Sequence, residues 1–122
     1  MSEIATSKTA DIYKIVPAEL WARAVSKGVF RGSADDLRDG FIHLSNAQQL
    51  QGTARKYFSG QADLLLIAFA VASLVPHLKW EVSRGGDLFP HYYGALPVNC
   101  ALWQRPLSLD ADGTPVIDED NL

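Results

Sequence analysis

The feature that most constrains the fold of this chain is an uninterrupted apolar run, Leu64-Leu65-Leu66-Ile67-Ala68-Phe69-Ala70-Val71. The run does not alternate between polar and apolar residues, which is typical of a strand that is covered on both faces. A buried helix is the alternative, but Gly60 and Pro76 leave it little room. The run is also far shorter than the roughly 20 residues that cross a bilayer. It therefore predicts the central strand of a sheet and no membrane association.

Composition restricts the class of protein further. A chain of 122 residues with 48% hydrophobic and 20% charged residues fits one globular domain, and we place it at residues 11–109. Small, polar or acidic residues predict flexible tails over residues 1–10 and 110–122. A net charge of -3 offers no basic surface for nucleic acid. The lone Cys100 excludes an intrachain disulfide, and the first residues lack signal-peptide features, so we expect a cytoplasmic protein.

Local patterns predict the elements around the central strand. Residues 12–16 combine β-branched and aromatic side chains and stop at Pro17, which suits the first position of a helix. An apolar stripe that includes Trp21 predicts a helix over residues 17–27, ending before Gly28. Alternation predicts strands over residues 78–83 and 98–103. In the first of these, Trp80 faces the core and Glu81 faces away from it.

The stretch Asp39-Gly40-Phe41-Ile42-His43-Leu44-Ser45 predicts a short strand that leads into a helix. His43 is the one titratable group in this strand. Ser45 and Gln48 fit a capping box, so we expect the helix to cover residues 46–59. The free N–H groups at the start of such a helix would bind a phosphate or another anion beside His43.

A second unusual stretch is Phe89-Pro90-His91-Tyr92-Tyr93-Gly94, which has neither a helical nor a strand period. We interpret it as an ordered loop that forms either a hydrophobic plug or the aromatic wall of a pocket.

The sequence contains no P-loop, GxGxxG, HExxH, CxxC or GxSxG motif. The remaining candidates for chemistry are scattered polar side chains that matter only if the fold brings them together. A half-buried structural histidine is the alternative for His43, and a solvated strand residue paired with Lys79 or Arg84 is the alternative for Glu81.

Several stretches together resemble a small bacterial family, the domain of unknown function 952, over about residues 11–105. The resemblance lies mainly in the Gly-Phe-Ile-His-Leu-Ser motif of residues 40–45 and the Phe-Pro-His-x-Tyr-Gly motif of residues 89–94. It also covers Ile12 to Ile15, Trp21 to Phe30, Gln49, Ala54, Trp80-Glu81, Ala95 and Leu96.

That family in turn resembles, more distantly, the ADP-ribosyltransferase-like fold, in which two small antiparallel sheets enclose an NAD cleft. This resemblance implies that Glu81 stabilises the positive charge that develops on the ribose when the nicotinamide bond breaks, while His43 contacts the ribose or a phosphate. Tyr92 or Tyr93 would stack on a base. Arg84 or the helix start at Asn46 would meet the pyrophosphate.

We therefore expect an α+β fold, a small mixed or antiparallel two-sheet domain with two main helices, and a cleft that is lined by His43, Glu81, His91 and Tyr93. The expected function is a cytoplasmic enzyme that binds NAD or a related nucleotide and transfers ADP-ribose. A non-catalytic module for small molecules or interactions is the alternative, and a metal-dependent hydrolase using His43, His91 and Glu81 is the third. The candidate catalytic residues are His43, Glu81 and His91, and the candidate ligand-binding residues are Ser45, Arg84, Tyr92, Tyr93 and Arg31.

Overall fold

The computed structural model describes residues 10–122, which fold into short antiparallel strands and a few helices. The strands are β1 (Asp11–Pro17), β2 (Val29–Phe30), β3 (Ile42–His43), β4 (Leu64–Ala70), β5 (Leu78–Val82), β6 (Leu88–Tyr92), β7 (Leu96–Pro97) and β8 (Ala101–Pro106). The α-helices are α1 (Ala18–Lys27), α2 (Ala34–Asp39), α3 (Leu50–Phe58) and α4 (Val71–Leu74). Turns of 3-10 helix cover Val75–His77, Arg84–Gly86, Val98–Cys100 and Glu119–Asn121. The predicted α+β class with antiparallel sheets is confirmed.

The apolar run forms β4, the central strand of a three-stranded antiparallel sheet in the order β1-β4-β8. One face of this sheet packs on α1 and on strands of the other sheets, and its opposite face packs on Leu50 and Ala54 of α3. Both faces of β4 are thus covered, as its unbroken apolar sequence predicts. No helix within residues 10–122 is both long and apolar enough to cross a membrane.

The remaining strands form a second three-stranded sheet, in the order β3-β6-β5, and a two-stranded ribbon of β2 and β7. The prediction of a loop over residues 89–94 is wrong for most of that stretch, because β6 is the central strand of the second sheet. Pro90 obscured the strand in the sequence, since proline is rare in central strands. Here the Pro90 carbonyl accepts from the Leu44 N–H, which lies just beyond the end of β3. The Pro90 nitrogen, which carries no hydrogen, faces the same side, so its missing N–H costs no hydrogen bond within β3.

The strand predicted over residues 78–83 is confirmed as β5, but the prediction of its inward face is wrong. Trp80 and Val82 are exposed, and Glu81 is only half-exposed, on the sheet face that carries His91. The reason is that β5 is an edge strand, and its residues beyond Leu78 extend past the hydrophobic core.

Helix α1 agrees with the predicted helix, and Gly28 ends it with a positive φ of 88°. Helix α3 begins at Leu50 and not at Asn46. Ser45 does not cap it, because its backbone pairs with Tyr13 of β1 and its hydroxyl contacts Thr53. A reciprocal pair of hydrogen bonds between Asn46 and Gln49 closes the turn that precedes the helix.

The last strand begins at Ala101 and continues to Pro106, later than the predicted strand over residues 98–103. A 3-10 turn occupies Val98–Cys100, where the Val98 N–H donates to the Gly28 carbonyl. Cys100 is half-buried against the core, which fits the role of a small hydrophobic residue.

The segment after β8 packs on the first sheet, which differs from the flexible tail predicted over residues 110–122. Ile117 and Leu122 contact the apolar face beneath α3, and Thr114 is buried. The side chain of Gln51 bonds to the backbone of Pro115 and Ile117. The apolar residues scattered among the acidic ones account for this order. The tail predicted over residues 1–10 lies almost entirely outside the described residues.

Candidate functional site

The carboxylate of Asp36 is the centre of the candidate site. Helix α2 presents it, because Ser33 caps this helix in a capping box whose third helical residue is Asp36. One carboxylate oxygen accepts from the Ser33 N–H at 2.8 Å, and the other accepts from the His43 N–H at 3.0 Å. The Asp36 side chain is almost completely buried. Its position is therefore fixed by hydrogen bonds from two different segments of the chain.

Lys14 of β1 balances the charge of this buried carboxylate. Its Nζ lies 2.9 Å from Asp36 Oδ2 and also donates to the His43 carbonyl at 3.0 Å. Burial by itself raises the pKa of Asp36, but the hydrogen bond from the His43 ring and the charge of Lys14 outweigh it and hold that pKa well below its usual range. Burial lowers the pKa of Lys14, and the charge of Asp36 opposes this shift.

His43 lies between two carboxylates. Its Nδ1 is 2.6 Å from Asp36 Oδ1, and its Nε2 is 2.9 Å from Asp39 Oδ2. Asp36 is buried, whereas Asp39 and His43 are each about one-third exposed, with side-chain exposures of 34% and 35%. The two contacts occupy both ring nitrogens of His43. The buried contact orients the ring, and the Asp39 contact lies on its accessible side.

A second histidine is held in the same way on β6. His91 Nδ1 lies 2.7 Å from Glu81 Oε1, and the Tyr93 hydroxyl donates to the same oxygen at 2.7 Å. The hydrogen bond from His91, followed by the one from Tyr93, lowers the pKa of Glu81. The hydrogen bond to Glu81 in turn raises the pKa of Tyr93. With Nδ1 engaged, Nε2 is the nitrogen of His91 that is left for a ligand.

Phe41 connects the two histidines. Its ring stacks on His91 with 4.0 Å between ring centroids, and it contacts His43 at 4.6 Å and Tyr93 at 5.4 Å. The centroids of the two imidazoles are 5.6 Å apart. Because Phe41 and His43 alternate with the core residue Ile42, the strand places both rings on one face of the sheet.

A cavity of about 200 Å³ opens beside these residues and is lined from both three-stranded sheets. His43 and His91 line it together with Ser45, Thr53 and Arg84. The Ser45 and Thr53 hydroxyls are 3.0 Å apart, and Arg84 donates to the Thr53 hydroxyl at 3.3 Å. Hydroxyl and guanidinium donors thus share one cavity with two imidazoles.

Arg84 differs from the other cations of the site because it has no carboxylate partner within residues 10–122. Its guanidinium carbon instead lies over the Phe89 ring, 4.8 Å from the centroid, and 6.0 Å from that of Tyr57. Aromatic faces hold a guanidinium in place without neutralising its charge. The side chain is therefore held at the cavity with its charge available to an anion.

The structure brings four of the predicted site residues to this cavity, namely His43, His91, Ser45 and Arg84. Glu81 and Tyr93 are not among its lining residues, and they act on it only through His91. Tyr92 points to the opposite face of β6 and is buried in the core. Arg31 lines a separate, more open depression with Phe41 and Gly94. The prediction of Tyr92 and Arg31 as ligand contacts at one cleft is thus not supported by their positions.

The predicted metal triad of His43, His91 and Glu81 is not formed. No group of three or more His, Cys, Asp or Glu side chains within the described part of the chain is arranged to hold a metal ion. Instead, His43 contacts Asp36 and Asp39, and His91 contacts Glu81, which leaves no shared centre for the three groups.

The sequence did not predict four residues of the site, which are Asp36, Lys14, Asp39 and Thr53. The Ser33-x-x-Asp36 spacing is a recognisable signal, since it matches a capping box with an acidic third residue. Lys14 was visible only as a polar break in an apolar strand. For Thr53, no local signal exists.

The fold and the site define a class of small α+β proteins in which two antiparallel sheets hold two carboxylate-bound histidines at one cavity. Residues 15–104 match the family described as "Protein of unknown function (DUF952)", and the chain belongs to that family. The resemblance to the domain of unknown function 952 is thus confirmed, and the family description assigns no activity. No curated protein matches the chain.

Solved structures of a relative share the fold over about nine-tenths of this chain. The X-ray structure of protein CC0527 from Caulobacter crescentus is 49% identical, with a TM-score of 0.87, covering 90% of this chain and 96% of that one. A solution NMR structure of CC0527 is 50% identical, with a TM-score of 0.81 and coverages of 92% and 96%.

Proposed function

We propose that the protein is an enzyme that binds NAD or a related nucleotide in this cavity and breaks the bond between nicotinamide and the ribose. Nicotinamide leaves, and the ADP-ribose forms a new bond to the nucleophilic atom of an acceptor, which loses its proton. One observation carries the proposal: two histidines, each oriented by a carboxylate, line the same cavity as an arginine without a carboxylate partner in residues 10–122. A positioned imidazole can take the proton of an attacking acceptor, and a cation can bind a phosphate of the nucleotide.

The phosphate part of the ligand would lie at Arg84. A guanidinium forms paired hydrogen bonds with phosphate oxygens, and the Ser45 and Thr53 hydroxyls add further donors beside it. The cavity volume of about 200 Å³ is below the range of roughly 300–1,000 Å³ that is typical of ligand pockets. A ribose phosphate would fill it, and the bases would extend to the surface.

The ribose would lie between the histidines. His43 is held by Asp36 in the way that a catalytic imidazole is held by a buried carboxylate. His91 Nε2 would bond a ribose hydroxyl, because Glu81 occupies Nδ1. Glu81 is therefore a positioning residue. Asp39 lines the cavity, where Arg38 and His43 Nε2 hold it. When a ligand opens the contact between Asp39 and His43, the carboxylate would face the positive charge on the ribose and Nε2 would become free for proton transfer.

Binding is tested by amide-resolved NMR titration with NAD, ADP and inorganic phosphate in the presence of a chelator. We expect saturable shifts near Ser45, Thr53 and His91, and we expect Arg84→Met to weaken ADP binding by about tenfold or more. Arg55→Met is the matched control, because Arg55 is exposed on α3 and does not line the cavity. No shifts at millimolar NAD and ADP, or equal effects of the two variants, would overturn the nucleotide site.

Chemistry is tested by release of nicotinamide from NAD. We expect His43→Ala to lower the rate by about 100-fold or more, the usual contribution of a general acid or base. If the protein binds NAD but releases no nicotinamide, the proposed transfer reaction is overturned, and the protein is a nucleotide-binding module.

A further inference from the structure

Strand β5 has a free edge, because the order β3-β6-β5 places it at the end of the second sheet. It pairs with β6 in a register that sets Trp80 opposite Pro90. Pro90 has no N–H, and its carbonyl accepts from the Leu44 N–H on the other side of β6. Backbone groups of one residue in an antiparallel strand point to the same side. Pro90 therefore makes no ladder bonds with Trp80.

It follows that the N–H and C=O of Trp80 point away from β6, to the free edge. Residues two positions apart point the same way, so Val82 and the carbonyl of Leu78 also face that edge. The Leu78 N–H already donates to the Val75 carbonyl, so it is not among the free donors. The edge thus offers a row of backbone donors and acceptors, spaced for another antiparallel strand.

The sequence of β5 is self-complementary about Trp80. If two copies of Leu78-Lys79-Trp80-Glu81-Val82 run antiparallel with Trp80 opposite Trp80, then Lys79 of each copy faces Glu81 of the other, and Leu78 faces Val82. In this register the outward backbone groups of both Trp80 residues bond each other directly. A shift by one residue would lose the opposite charges and the backbone match together.

We propose that β5 pairs with β5 of a second copy of this chain, which joins the two β3-β6-β5 sheets into one sheet across a two-fold axis at Trp80. The side chains at this edge support a second copy of the chain as the partner, because they leave an apolar patch exposed. Trp80, Val82 and Leu88 share one face of the sheet and are 40%, 69% and 52% exposed. The two-fold pairing brings the two tryptophans together and covers part of this patch.

The opposite face of β5 carries the charged side chains that would pair between the two copies. Lys79 is exposed and lies over the Tyr93 ring at 5.0 Å, beside Glu81. Glu81 uses Oε1 for His91 and Tyr93, and Oε2 has no hydrogen bond from residues 10–122. This second oxygen is the acceptor for Lys79 of the other copy. The pairing consequently contacts the carboxylate that orients His91 without displacing it.

The test is sedimentation velocity of the full chain over a range of protein concentrations. We expect wild type to reach twice the monomer mass, and Trp80→Lys or Trp80→Glu to remain monomeric, because each places like charges on the two-fold axis. A mixture of these two variants restores opposite charges at that position and should form a heterodimer. Leu102→Lys is the control, since Leu102 is exposed on the edge strand β8 of the other sheet. This variant should dimerise like wild type.

The charge register is tested with Lys79→Glu, which should weaken the dimer about tenfold, and with Lys79→Glu combined with Glu81→Lys, which should recover it. The two Trp80 variants keep the test decisive if a substitution at Glu81 impairs folding, since they leave Glu81 intact. A wild type that is monomeric at every concentration, or a dimer that Trp80→Lys does not change, would overturn the proposal.

Discussion

The ammonium group of Lys14 lies 2.9 Å from the carboxylate of Asp36, and both side chains are almost completely buried, with exposures of 7% and 1%. A buried ion pair contributes little net stability relative to apolar residues, but loss of one partner leaves an uncompensated charge in a low-dielectric interior. The pair also joins β1 to the helix that carries Asp36. The position of His43 thus depends on two segments that are distant in sequence.

Asp36→Asn should therefore destabilise the protein by about 3–5 kcal/mol, because Lys14 stays buried without its counter-charge. Urea unfolding of the variant and of wild type at neutral pH measures the change. Asp35→Asn is the control, since Asp35 is exposed on the same helix and, among residues 10–122, pairs only with the exposed Arg38. It should cost less than about 1 kcal/mol. Equal losses for the two variants would contradict the role of the buried pair.

The low pKa of Asp36 also predicts acid sensitivity. A carboxylate with a lower pKa in the folded than in the unfolded chain, where it is near the ordinary 3.8, stabilises the fold fully above that value. The stabilisation is lost as the pH falls from about 4 towards the folded pKa. The unfolding free energy of wild type should drop over this range more steeply than that of Asp36→Asn, in urea titrations at a series of pH values. Parallel curves would show that Asp36 does not carry the effect.

Local periodicity was enough to predict β4 and α1, because an unbroken apolar run and an apolar stripe are each decided by neighbours in sequence. It was not enough for β5 and β6. Which face of β5 is covered depends on where the core ends, and the strand character of β6 depends on partners on both sides. Neither the extent of the core nor the pairing partners of β6 can be deduced from the residues next to Trp80 or Pro90.

In the candidate site, too, features set by neighbours in sequence were predictable and long-range contacts were not. His43 and His91 were recognisable because each is an imidazole in an unusual apolar or aromatic stretch. Their partners were not, because Asp36 reaches Lys14 across 22 positions and Arg84 reaches Thr53 across 31. Contacts at such separations follow from the packing of the two sheets, so a single sequence does not assign them.

Gly32 provides a separate test of how tightly Asp36 is held. Its φ of +124° is unfavourable for other residues, and an added Cβ would lie 2.6 Å from the Asp36 Cβ. Gly32→Ala should cost about 2–4 kcal/mol, combining backbone strain with displacement of α2. Gly60→Ala is the control, because Gly60 has a φ of +81° and open space around it, and it should cost only about 1–2 kcal/mol. Chemical unfolding of both variants makes the comparison, and a smaller loss for Gly32→Ala would contradict the close contact.

The hydrogen bonds of Glu81 make a prediction at the other histidine. If one Glu81 oxygen accepts from both His91 and Tyr93, removal of the carboxylate charge should lower the pKa of Tyr93 towards the ordinary 10.0. Tyr93→Phe should conversely raise the pKa of Glu81 towards its ordinary 4.5, although less than the loss of His91 would, because His91 is the larger cause of the shift. NMR titrations of the Tyr93 ring in Glu81→Gln and of the Glu81 carboxyl in Tyr93→Phe measure the two changes.

Glu81→Gln should also change the orientation and the tautomer of His91, because a carboxamide is a weaker acceptor for the Nδ1 hydrogen than a carboxylate. Nitrogen-15 shifts of the imidazole report which ring nitrogen carries the hydrogen. If His91 contacts the ribose, nicotinamide release should fall in this variant while ADP binding at Arg84 is retained, since Arg84 bonds to Thr53 whereas Glu81 bonds to His91 and Tyr93. Tyr93→Phe keeps the Glu81 carboxylate and should preserve most of the activity. Full activity of Glu81→Gln with an unchanged His91 tautomer would show that the carboxylate does not position this histidine.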